Sequence, residues 1–179
     1  TGQTTCTDET GAAAVCSGTG QDGEIQAGVA WPKTRFVAAA GGTLRDTLTG
    51  LAWAPDAGVP AVGQLPGGAM LWEQALTYVE HLNEIAYLGH RDWRMPNANE
   101  LLSILDMGVS AQDGWLQGYG FKNVSKTAYW TSTSVAADTK AAWHVYLTTG
   151  GMGESLKQET ELMLLPVRGM HGGLDDGVL

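Results

Sequence analysis

Hydrophobic positions along this chain follow two periods. Between residues 70 and 88, Leu71, Ala75, Leu76, Val79, Leu82 and Ile85/Ala86 fall on one helical stripe, while Glu73, Glu80 and Glu84 fall elsewhere. Gly89 ends that helix. A second helix is predicted over about 97–106. Pro96 biases Met95 towards extended backbone. Asn97 is placed to cap, and Glu100, three residues on, can reach back to the cap's N–H. Leu101, Leu102, Ile104 and Leu105 follow as the apolar run. The corner between the helices packs Arg91, Asp92, Trp93 and Arg94 into four successive positions.

Strand patterns lie on both sides of the helices. Residues 35–53 read as a three-strand meander: Arg35–Val37, then Thr43–Asp46, then Leu51–Trp53, with turns at Ala38–Gly42 and Thr47–Gly50. A Pro/Gly-rich loop covers 54–69, and a long aromatic, glycine-broken stretch covers 107–128. Further strands are predicted at 128–134, 141–149 and 161–168; Pro166 makes the last an edge strand or a bulged one. The tail 169–179 is rich in Gly and Asp. The order of strands, two helices, then strands predicts an α+β fold with two helices flanking an antiparallel sheet. It lacks the βαβ alternation of a nucleotide-binding fold. Residues 31–179 read as one domain, preceded by an extended leader over 1–30.

The leader is polar, rich in Gly, Thr and Ala, and alone should be disordered. To be ordered it must dock, on its own domain or on a neighbouring subunit. It holds the two cysteines, Cys6 and Cys16. A disulfide around Thr7–Val15 is the expected pairing, worth about 2–3 kcal/mol and suited to an oxidising compartment. Zinc does not fit their spacing.

The chain has 179 residues, 44% hydrophobic and 16% charged, enough for a single domain with a real core. Net charge is −9 with no Lys/Arg cluster, which argues against nucleic acid and anionic membrane surfaces as partners. No apolar run is long enough for a transmembrane helix. No signal peptide is visible, and a chain beginning at Thr1 without Met fits a processed or recombinant start.

Most chemistry-bearing residues read as structural. Trp53, Trp72, Trp93, Trp130 and Trp143 sit inside element patterns and are expected in the core with their indole N–H groups satisfied internally. Arg94 and Asp92 are expected to pair with each other or with backbone carbonyls, and Arg168 likewise. His81, His90, His144 and His171 have no metal-ligand spacing, and no metal or cofactor is expected. Ser132, His144 and Asp138 lack a nucleophile elbow, so no catalytic set is assigned. Gly150–Gly153 opens no helix that could cradle a phosphate. Asn123-Val-Ser125 matches a glycosylation sequon by pattern. The stretch 111–123 is less easily read as core. Trp115 and Tyr119, with Asp113, Gln117, Lys122 and Asn123, could stack and hydrogen-bond a sugar or meet a protein. These six are the candidate binding residues.

Asp46-Thr-Leu-Thr-Gly-Leu-Ala-Trp53, Trp72-Glu-Gln-Ala75, Asp92-Trp-Arg-Met-Pro96 with Glu100-Leu101, Tyr129-Trp-Thr-Ser-Thr133, Trp143 and Val167-Arg-Gly169 occur in order. From about 35 to 169 the chain resembles the Lcl C-terminal domain family of bacteria. The resemblance implies a C-type lectin-like fold, distantly similar to formylglycine-generating enzymes, in a secreted or surface-exposed protein. The cysteine chemistry of those enzymes does not carry over, because both cysteines lie in the leader. The calcium-binding loop motifs of sugar-binding lectins are absent, and a net charge of −9 disfavours polyanions. The expected function is a non-catalytic binding or adhesion module, extracellular or at the cell surface, meeting a glycan or surface protein. The alternative is a self-assembling subunit of a surface oligomer or filament, with the leader docked on a neighbour.

Overall fold

The structure, a computed structural model, describes residues 2–169; the expectations for Thr1, His171 and the rest of the tail fall outside them. The leader is folded rather than extended. Strands β1 (Cys6–Thr7) and β2 (Ala13–Ala14) pair antiparallel, and the expected disulfide joins Cys6 to Cys16. One helical turn, α1 (Asp22–Ile25), lies against β1 through Gly23, where an added Cβ would be 2.2 Å from the Thr5 carbonyl oxygen. Carboxylates do the work that a core would do elsewhere. Asp8 accepts the backbone N–H groups of Thr10 and Ala12 at 2.9 and 3.0 Å. Glu24 accepts those of Gly18 and Gly20. Both carboxyls are held below their usual range, Asp8 chiefly by the Thr10 hydroxyl and Glu24 chiefly by the Gly18 N–H. The leader meets the domain near its start, where Gly2 lies against Asp106, and just past its end the first domain residue, Trp31, lies against Trp115.

In the domain, β3 (Phe36–Ala38), β4 (Leu44–Asp46) and β5 (Ala52–Trp53) precede three helices, α2 (Trp72–Glu84), α3 (Ala98–Ser103) and α4 (Gln112–Gly118). Strands β6 (Tyr129–Ser134), β7 (Ala141–Val145), β8 (Met152–Leu156) and β9 (Val167–Arg168) follow. This is the α+β order read from the sequence. The strands build two antiparallel sheets, β3-β4-β5-β9 and β6-β7-β8, where one was expected. The segment before β9 joins them. Met163 hydrogen-bonds Ala128 and Trp130 beside β6, and Val167 exchanges hydrogen bonds with Arg94 while pairing with Trp53. Between those anchor points Leu164 and Leu165 are fully buried. The strand predicted over 161–168 is thus two short pairings. Pro166, which has no N–H to give a ladder, lies between them.

β8 was not anticipated. It is the outer strand of its sheet and reads Met-Gly-Glu-Ser-Leu, with every residue paired to β7. An outer strand needs only backbone partners, so it leaves no apolar signature.

The helices show how local chemistry sets their bounds. In α2, Ala75, Tyr78, Val79 and Leu82 are buried, and Gln74 accepts the Leu71 N–H at 2.9 Å. The helix stops at Glu84, short of Gly89, because Ala86 turns left-handed at φ 53°. The Arg91 guanidinium then takes the Asn83 and Glu84 carbonyls at 2.9 and 2.7 Å. Ile85, expected on the buried stripe, is exposed. In α3 the predicted capping box forms: Glu100 N–H donates to Asn97, and Asn97 N–H to Glu100, both at 2.9 Å. The same carboxylate takes two bonds from Arg94, at 2.7 and 2.6 Å, which raises the guanidinium's pKa further. Arg94 therefore pairs with Glu100 rather than Asp92. Asp92 accepts from Arg168 at 2.7 Å.

Indole N–H groups of Trp72, Trp93 and Trp130 donate to the carbonyls of Thr131, Tyr87 and Met70, each at 2.9 Å. The fully buried Trp53 departs from expectation, since its Nε1 meets no acceptor among the described residues.

Replacing Cys6 and Cys16 by serine should release the leader without unfolding the domain. Amides of residues 5–25 are expected to lose hydrogen-exchange protection, while those of α2, β6 and β7 keep it. Equal loss in both regions would mean that leader and domain unfold together.

Candidate functional site

Most of the stretch 111–123 is a helix and not a loop. Gly114 and Gly118 hide it from propensity, and tertiary packing imposes it. The Gln112 side chain is buried, accepting the Asp106 N–H at 3.0 Å and donating to the Asp106 and Val109 carbonyls. Leu116, one turn on, is fully buried. Trp115 and Tyr119 lie one turn apart with ring centroids 5.1 Å from each other. Phe36 of β3 sits 6.0 Å from Trp115, 5.5 Å from Tyr119 and 5.2 Å from the buried Phe121. Trp31 lies 5.6 Å from Trp115. Trp31, Trp115 and Tyr119 are all half-buried, so the cluster shows part of its ring surface to solvent.

The six predicted residues do not converge. Trp115 in α4 and Tyr119 just past its last residue lie on one side. Asp113 is two positions from Trp115 and Gln117 two positions from both rings, about 200° around the helix, and so they face another way. Lys122 and Asn123 lie beyond the helix. Lys122 pairs by backbone with Pro55 and Ala57, leaving its side chain exposed. The Asn123 side chain donates to Asp56 at 3.0 Å, from a left-handed backbone at φ 54°. The cluster adds residues not picked from the sequence as binding candidates: Trp31, Arg35 and Phe36. The guanidinium of Arg35 lies 4.2 Å from the Trp31 ring centroid and 5.1 Å from that of Phe36.

A family model for the Lcl C-terminal domain matches residues 42–168, well over half of the sequence. This chain belongs to the Lcl C-terminal domain family. The match includes α4 with Trp115 and Tyr119, and it leaves out the leader, Trp31, Arg35 and Phe36. No curated protein matches the chain.

Among the described residues of this Lcl C-terminal domain, Ser155 with His144 is the nearest approach to a nucleophile–base pair. The Ser155 hydroxyl lies 3.1 Å from His144 Nδ1 across the β7–β8 ladder. His144 Nε2 is walled by the β8 backbone, for a Cβ added at Gly153 would lie 2.8 Å from it. Tyr146 stands edge-on to the ring at 5.3 Å. Asp138 is spent on the Lys140 N–H. The pair reads as a lock between two strands. Among the described residues no three His, Cys, Asp or Glu side chains are grouped to hold a metal ion.

Burial lowers the pKa of His144. Its usual value is about 6.5 in an unfolded chain. Below that pH the unfolded chain takes up a proton that folded His144 refuses, so stability should fall as pH drops through and below about 6.5. Urea midpoints at pH 7.5 and 5.5 should show a smaller drop for His144→Gln than for the parent. An unchanged drop would assign the effect to other groups.

Proposed function

We propose that this domain is a non-catalytic, extracellular binding or adhesion module whose ligand stacks on Trp115 and Tyr119. The supporting observation is the cluster of half-buried rings on α4 and beside it. Amphipathic rings that stay partly exposed suit a ligand with an apolar face and a polar rim, such as a pyranose. A net charge of −9 favours a neutral glycan over a polyanion. The Cys6–Cys16 disulfide suits an oxidising, extracellular setting. The C-type lectin-like architecture implied by the family resemblance is part of this reading, and there the long connections carry the ligand.

A second reading, self-assembly through the leader, draws on a different observation. Val15, Ile25 and Val29 of the leader are 83%, 59% and 79% exposed. A neighbouring copy could cover them, with the leader added to an uncovered strand edge.

Titration with tetramers of β-1,4-linked glucose or N-acetylglucosamine separates the two. Trp115→Ala should weaken binding at least about tenfold, or about 1.4 kcal/mol, and Lys122→Ala should change it little. Equal losses would relocate the site to the 122–123 end. Under the second reading, light scattering on a dilution series finds oligomers that Val15→Ser with Val29→Ser disperses. A monomer at every concentration would remove that reading.

A further inference from the structure

Trp31 lies against Trp115, the ring on which the proposed ligand stacks. Its ring packs on Trp115 and also covers the guanidinium of Arg35. Arg35 is fully buried. Its Nε and Nη2 bind Asp46, and Nη2 also donates to the Ser103 carbonyl. That leaves Nη1, on the edge turned away from Asp46, with no acceptor among the described residues. A buried donor without an acceptor is costly, and the structure tolerates it here.

The chain that carries Trp31 is weakly held. Residues 25–30 are exposed before it, and Lys33 and Thr34 are exposed after it. Among the described residues, 27–33 make no hydrogen bond, so ring packing is what keeps Trp31 in place. The leader before that span is closed by its own disulfide and strand pair and touches the domain at Gly2, so the span at 27–33 can loosen without the leader unfolding.

We infer that Trp31 is a displaceable cover over a latent glycan subsite made of the Trp115 face and Arg35 Nη1. When Trp31 lifts, the indole face of Trp115 becomes free to stack a pyranose ring, and Nη1 can donate to a ring hydroxyl. Asp46 already neutralises Arg35, so an uncharged hydroxyl suits that donor better than a carboxylate. The inference rests on the reading of Trp115 as a ligand platform and adds a gate to it. Apparent affinity is then reduced by the small fraction of molecules with Trp31 lifted.

The test is calorimetric titration of the full chain, Trp31→Ala, and Trp31→Ala with Trp115→Ala, using the same β-1,4-linked tetramers. Removing the cover should tighten binding at least about tenfold, and the added Trp115→Ala should abolish the gain. Should Trp31→Ala not fold, Ala30→Gly with Pro32→Gly loosens the same span, keeps the ring, and should tighten binding in the same direction. Parent binding as tight as that of the uncovered variants, yet sensitive to Trp115→Ala, would overturn the cover and leave the platform standing. Binding by none of the proteins would overturn both.

Discussion

A pair of opposite charges, sealed from water, is the constraint on which the rest of this structure depends. Arg35 and Asp46 are both fully buried and meet through two bonds, at 3.2 and 3.0 Å. Asp46 is further satisfied by the Leu48 N–H and the Thr49 hydroxyl, both at 2.9 Å. Arg35 reaches from the start of β3 to the Ser103 carbonyl at the end of α3, so one side chain ties the meander to the helical layer. Burying charge in this way is not a source of great net stability. It does make the arrangement specific: a slip of β3 against β4, where Phe36 pairs with Asp46, would strand both charges.

The same guanidinium connects scaffold to surface. Its flat face lies under Trp31, and Trp31 lies on Trp115. Phe36, next in sequence, supports Trp115 and Tyr119 from beneath. The aromatic cluster is therefore built on a rigid strand and a short helix whose Leu116 is fully buried, while its outermost ring is delivered by a loosely held span. A well-packed platform and a sparsely bonded cover are a physically coherent pair for the proposed gate, because packing is concentrated on one side of the contact.

What could be read from the sequence was what local rules decide. The Asn97–Glu100 box, the buried stripe of α2 and the Cys6–Cys16 bridge all follow from spacings of a few residues. Where tertiary contacts decide, the pattern misleads. α4 carries two glycines and exists because Gln112 and Leu116 are buried. β8 leaves no alternation because it is an outer strand. Asp92 finds Arg168 from 76 positions away, and Arg94 prefers the Glu100 already oriented by its cap. At the site, Trp115 and Tyr119 stood out as aromatics in a polar stretch, whereas Trp31 read only as the opening of the domain. Nothing near residue 31 in sequence announces a partner at residue 115.

The most direct measurement is a double-mutant cycle on Arg35 and Asp46, by equilibrium unfolding in urea of Arg35→Met, Asp46→Leu and the pair. If the buried ion pair fixes the meander against α3, each single change leaves a naked buried charge and costs about 3–5 kcal/mol, while the double change costs less than either. Single changes that each cost under about 1 kcal/mol and simply add would contradict that account.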